Sequence, residues 1–379
     1  MKKIYINGDF ITLEDEDCEC ILIQDNKIAK TGTREEVLKY RDNETEIIDL
    51  KGKTMMPSFI DTHSHFFGVA NNFLQISLEE CTNIKEIQNK LKEYNDKNNM
   101  NKNKWIIANN YDTNMLQEKR NITKEEIDEI IKDNPVVLNH KSGHSGIFNT
   151  KALEVLNITE KTKAPFGGII EIKNGILTGL LEENAYIEIV KKVPMPSLEE
   201  LIESCKKAQE KYLSYGITTV QEGMFAKELI QIYKKILSNN ILKIDLISYM
   251  DFKEKEEIKN AFPQNIKKYY KNMKFLGYKI FLDGSPQLRT AWMKTPYNVI
   301  QENEEKYYGI NTMSDKEVRE AVNQAKNDNM QILAHCNGDK AAEQYINAIK
   351  NIDLKNERSV MIHAQLLDTD QLEDVKKCH

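Results

Sequence analysis

The chain has 379 residues, 53 Lys+Arg against 59 Asp+Glu, a formal net charge of −6, and 40% hydrophobic with 30% charged residues. At roughly 150 residues per domain this allows two or three domains, or one large barrel with additions, around a sizeable core, and excludes a disordered, collagenous or disulfide-scaffold chain. The mildly acidic balance lacks the clustered basic surface of a nucleic-acid binder, and no apolar run reaches the roughly eighteen residues of a membrane span, so neither nucleic acid nor membrane is an expected partner.

Met1 to Phe10 shows no signal-peptide pattern. Six cysteines, Cys18, Cys20, Cys81, Cys205, Cys336 and Cys378, lack C-x-x-C spacing, which reads as free thiols in a cytoplasmic protein. Residues 1–55 present short β segments, Ile4 to Ile6, Cys20 to Ile23 and Ile47 to Leu50, broken by turn signals at Asn7-Gly8-Asp9, Gln24-Asp25-Asn26 and Lys51-Gly52-Lys53, the pattern of a small all-β unit. After Pro57, Ser58 to His63 reads as a buried strand ending in polar residues. A mixed region follows from about 66 to 216, with strand candidates at Trp105 to Ala108 and Pro135 to Leu138. It also holds a helix opened by the capping box Thr123-Glu126 and a turn at Gly167-Gly168.

Beyond it the rhythm is regular. Ser197 to Tyr215 is a helix with capping box Ser197-Glu200, an apolar stripe and a stop at Gly216. Strands then recur at Ile217 to Val220, Leu242 to Tyr249, Gly277 to Leu282, Gln331 to His335 and Ser359 to His363. The helices between them include Ser314 to Asn327, opened by Ser314-Glu317, and a last helical stretch covers Asp368 to Lys377. Alternating strands and helices predict a parallel sheet of the (β/α)8 TIM-type barrel. A full barrel takes about 250 residues, and residues 56–379 hold six barrel strands, so the chain is expected to be a C-terminally truncated fragment.

Seven histidines occur, and their placement matters more than their number. His63 and His65, two apart at a strand end, converge on one point, the spacing of a two-ligand seed for Zn²⁺. His335 and His363 close two other strands, and in a parallel barrel all these ends face one mouth. Lys279 lies inside an apolar strand, where an unpartnered ammonium is costly. Either a carboxylate neighbour or covalent neutralisation of the amine resolves that cost.

The segments Met56 to His65, Tyr278 to Ser285, Ala334 to Ala341 and Met361 to Gln365 together resemble the amidohydrolase superfamily. More closely they resemble the amidohydrolase family 3 branch, which includes the N-substituted formamide deformylases; Ser58 stands where Pro-Gly-Phe is more usual. Within the mixed region, Gly143-His144 with Asn149 and Ala152-Leu153, and Thr178-Gly179 with Glu182-Glu183, are similar to segments of that branch. The resemblance implies an α/β fold: a distorted metal-dependent hydrolase barrel, a small β-sandwich to which 1–55 contributes, and a family-type insertion at 66–216. It implies one or two divalent metal ions, expected to be zinc, with His63, His65, His335 and His363 as ligands and Lys279, carboxylated, as bridge.

The implied reaction is hydrolysis of a non-peptide carbon–nitrogen bond, amide or formamide in type, by attack of metal-bound hydroxide. The expected partner is a small amide-type substrate, and a homodimer is compatible with the reading. His140, His144, Glu183, Asp283 and Arg289 are candidates to contact substrate or steady the ligands, with ordinary surface or ion-pair roles as the alternative. The superfamily's metal-binding general base is an Asp at the end of strand eight. No catalytic residue is assigned here, because the chain ends at His379, and as a fragment it is expected to be inactive. Rival expectations are a non-catalytic homologue that keeps its ligands and a phosphotriester hydrolase.

Overall fold

The computed structural model describes residues 1–378 other than 15–16, 99–103, 195, 299–305, 351 and 353–357. They form two compact units, one of residues 1–60 with 215–218, the other of 61–214 with 219–379.

In the first unit Lys2–Ile6 lies between Cys20–Gln24, antiparallel, and Glu46–Asp49, parallel, with Lys27–Gly32 outermost. Asp25 and Asn26 both take positive φ, 52° and 63°, the geometry of a two-residue hairpin whose twist matches its strands. Ile4, Ile6, Cys20, Leu22 and Val37 form its core.

Two six-stranded sheets follow. One runs β1 (Phe59–Asp61), β2 (Ile217–Phe225), β3 (Asp245–Asp251), β4 (Met273–Phe281), β5 (Gln331–Cys336) and β6 (Val360–His363), in spatial order β6-β5-β4-β3-β2-β1. The pairings from β2 to β6 are parallel, and a helix separates each consecutive pair from β2 onward. Six strands set flat would part the outer edges by roughly 24 Å at about 4.8 Å per gap. The rings of His63, just past β1, and His363, ending β6, have centroids 5.4 Å apart. The sheet is therefore rolled, with the carboxyl ends of its two edge strands brought together like part of a barrel. Register aligns those ends: Asp251 pairs with Lys279, Phe281 with His335, and Cys336 with His363.

The second sheet belongs to the inserted region, in order Gly168–Lys173, Ile176–Glu182, Ser145–Phe148, Val136–His140, Ile106–Tyr111, Ile76–Ser77. Along one strand, Val136 and Leu138 enter one apolar cluster while Val137 enters another. Alternation thus buries both faces, which explains an unbroken apolar run there.

Several boundaries differ from the sequence reading: β3 and β4 run Asp245–Asp251 and Met273–Phe281 rather than Leu242 to Tyr249 and Gly277 to Leu282. The first strand stops at Asp61, so His63 and His65 lie beyond it, and His65 caps the helix Phe66–Asn72. Strand β2 continues to Phe225, because Gln221 and Glu222 are buried within it despite their polarity.

Candidate active site

The carboxyl ends of β1, β4, β5 and β6 bring the predicted residues together. Ring centroids are 6.0 Å apart for His63 and His65, 5.4 Å for His63 and His363, and 4.8 Å for His335 and His363. Lys279, 2% exposed, carries its Nζ 4.9 Å from the centre of the Phe281 ring, and that ring lies 5.1 Å from His335. Among the described residues no carboxylate pairs with Lys279, so the salt-bridge alternative is not realised. Burial alone pulls its amine down to about 7.

Of the four imidazoles His335 is as buried as this amine, while His63, His65 and His363 reach solvent. Burial, followed by the charge of Lys279, holds His63 below its usual value; burial and His63 take His363 down to about 4. His335 is pushed well down by burial and by His144. The lowered values of His63, His335 and His363 favour the neutral form, in which imidazole offers a lone pair.

Three of the four rings are held by a residue behind them. His63 Nδ1 is 3.3 Å from Gln221 Oε1. His65 Nδ1 is 3.5 Å from Glu222 Oε1, while the other Glu222 oxygen accepts the Phe67 N–H at 2.7 Å. His335 Nε2 meets the Gly284 carbonyl at 3.1 Å. Partners of this kind fix ring orientation and leave the opposite nitrogen free. Gln221 and Glu222 were missed from sequence, although a buried carboxylate in a strand is the same signal that singled out Lys279.

Among the described residues no three His, Cys, Asp or Glu side chains already stand close enough to hold one ion. The donor set nevertheless fits: imidazoles bound to one ion at 2.0–2.1 Å have centroids roughly 5 Å apart, and the rings here are spaced 4.8–6.0 Å.

The remaining candidates divide. The His144 ring lies 4.7 Å from that of His335, tilted by 40°, and its Nδ1 lies 2.8 Å from Glu183 Oε2, a pair almost wholly buried. His140 lines the same cleft as His65 and His144, with Nδ1 2.9 Å from Ser142 Oγ and Nε2 facing Asp112. Asp283 is fully buried and accepts the N–H groups of Asn337, Gly338 and Trp292 at 2.9, 2.7 and 3.1 Å. It therefore scaffolds the loop after His335. Arg289 is exposed, in left-handed conformation at φ 59°. It lines a separate cavity with Glu171 and Glu182.

The sequence profile of the amidohydrolase family matches residues 46–378. The chain belongs to the amidohydrolase family. This amidohydrolase is 29% identical over 389 aligned residues to the putative amidohydrolase YtcJ of Bacillus subtilis, covering 98% of the chain and 70% of that protein. It is 28% identical over 225 residues to the N-substituted formamide deformylase of Arthrobacter pascens, covering 57% of the chain and 41% of the relative. An uncharacterized metal-dependent hydrolase from Pyrococcus horikoshii has a similar fold, with TM-score 0.74 and 24% identity over the whole chain and 73% of that structure. Membership of the family supports a hydrolase, and the Pyrococcus structure shows the shared fold.

Proposed function

We propose that this amidohydrolase cleaves the carbon–nitrogen bond of a small non-peptide amide, formamides included, with one or two divalent ions held by His63, His65, Lys279, His335 and His363. The observation that carries the reading is the convergence of imidazoles with a buried amine that meets no carboxylate among the described residues, at the carboxyl ends of β1, β4, β5 and β6. Similarity to a formamide deformylase over 57% of the chain supports the bond type.

A bound divalent ion supplies Lewis acidity, polarising a carbonyl and lowering the pKa of water. The chain's own residues prepare for that. Glu222 and Gln221 lock the rings of His65 and His63. Lys279 adds carbon dioxide at its amine, releasing a proton, and so becomes an anion able to bridge. His144, fixed through Nδ1 by Glu183, keeps Nε2 for a hydrogen bond to substrate.

The test is metal analysis of the purified protein with hydrolysis assays on amides, esters and phosphotriesters. One or two ions per chain with formamide or amide cleavage are expected. Ions without turnover point to a non-catalytic homologue, and cleavage confined to phosphotriesters overturns the bond assignment.

A further inference from the structure

Two parallel strands of the inserted sheet, Ile106–Tyr111 and Val136–His140, end at the cleft that His65 and His144 also line, a cavity of about 550 Å³. A strand sends successive side chains to opposite faces, yet Asn109 and Asn110 both line this cleft. Asn110 takes φ of 63° and the register slips between Leu138 and His140, a local bulge that re-aims the strand end. Asparagine tolerates that left-handed backbone.

The asparagines at the strand ends join into a row. The hydroxyl of buried Tyr186 donates to Asn139 Oδ1 at 2.9 Å, Asn139 Nδ2 donates to Asn109 Oδ1 at 2.8 Å, and Asn109 Nδ2 donates to Asn72 Oδ1. All four residues line the cleft. A carboxamide nitrogen carries two N–H donors, so Asn139 and Asn109 each keep one unspent among the described residues, and Asn72 keeps both. Asn109 and Asn139 are half-buried and Asn72 is exposed, so the row faces solvent rather than the core. The one Lys or Arg of the lining, Lys141, is paired with Asp112. The cleft therefore offers no free cation to an anionic substrate.

We propose that this row sets specificity, and that the substrate is an amide of a neutral polyhydroxylated amine, an N-acyl amino sugar or amino polyol in class. The inference rests on the hydrolase reading above, which puts the scissile bond at the histidines. A hydroxyl accepts from an N–H and donates to a carboxamide oxygen, whose second lone pair is free, so it engages both halves of the group. An alkyl chain laid along the row would strip water from the donors and return no hydrogen bond. A carboxylate would meet the donors alone, with no cation to neutralise it. Phe67, Ile187, Met224 and Phe281 line the same cleft and give the carbon skeleton of the ligand an apolar surface.

The experiment is ligand-observed NMR titration of the full chain, treated with chelator, with N-formylglucamine and with N-formylhexylamine. Both are neutral formamides on the same carbon chain, and only the first carries hydroxyls. The expected result is at least about tenfold tighter binding of the hydroxylated probe, the worth of one or two net hydrogen bonds. That preference should be lost in Asn109→Leu, which cuts the row in the middle, and reduced in Asn72→Ala at its end. Asn72 is exposed, so its variant reads the row even where Asn109→Leu disturbs the fold. Equal affinity for the two probes, or a preference that either variant leaves untouched, overturns the proposal. Because binding is read without metal, a hydroxyl preference with no turnover of either formamide by the zinc-loaded protein would sink the hydrolase reading and leave this one standing. Turnover of both formamides without the binding preference would do the opposite.

Discussion

A lysine amine at 2% exposure with an aromatic face beside it and no carboxylate is held in place by the strand that carries it rather than by any charge it meets. Replacing it by methionine, of similar length and apolar, should leave the fold intact and remove the bridge. Lys279→Met is expected to melt within a few degrees of wild type while its metal content, read by plasma emission, falls to near zero; stoichiometric metal in that variant would falsify the bridging role. A buried acid elsewhere links stability to pH. Glu182 is raised by burial, and then by Glu183 and Glu171, from 4.5 to about 7. A raised carboxyl binds more protons folded than unfolded across that window, so its contribution is full below about 4.5 and is lost as pH rises through about 7. The melting temperature should fall over this range, and Glu182→Gln should flatten the fall; an unchanged profile would show that another group is responsible.

At the scale of elements, Asn149 shows how a motif residue earns its place structurally. Its Oδ1 accepts the Ala152 and Val136 N–H groups at 2.9 and 2.8 Å, and its Nδ2 donates to the Ile131 and Asn134 carbonyls, both at 3.1 Å. One side chain caps the helix Thr150–Val155 and ties it to a strand and to the loop before it. Asn149→Ala should destabilise by about 2–4 kcal/mol, the loss of a cap together with stranded buried groups, and denaturant unfolding measures it. A change under about 1 kcal/mol would mean water replaces the bonds. Local signals of this kind were legible from sequence: the capping boxes Thr123-Glu126, Ser197-Glu200 and Ser314-Glu317 all form. The inserted sheet was only partly so. Asn174 and Gly175, at φ 51° and 78°, turn a hairpin between Gly168–Lys173 and Ile176–Glu182, and Asn-Gly flanked by apolar residues is the sequence signal for it. Its pairing with Ser145–Phe148 is long-range and leaves no local trace. The end of β1 was misplaced for a related reason, since the polar run after Asp61 does not say where pairing stops.

Across the whole molecule, the site draws one donor pair from beyond β1 and single donors from β4, β5 and β6, so the two edges of a rolled sheet and two inner strands meet in one place. The strand-end histidines were readable because a parallel sheet sends every carboxyl end the same way; the ring-holding Gln221 and Glu222 were not, because their roles exist only once β1 and β2 are neighbours. An ion bound there would cross-link elements far apart in sequence, and a ligand that binds the folded state alone stabilises it by mass action. At free metal a hundredfold above the dissociation constant the gain is about 2.7 kcal/mol. Stripping metal with a chelator should therefore lower the melting temperature by several degrees, and restoring zinc should recover it. Amide hydrogen exchange should slow on zinc addition in β5 and β6 while the first unit, which holds none of the donors, stays unchanged. His335→Asn should abolish both responses. Zinc-independent melting of the wild-type chain, or protection spread equally over residues 1–55, would show that the histidines do not act as one centre.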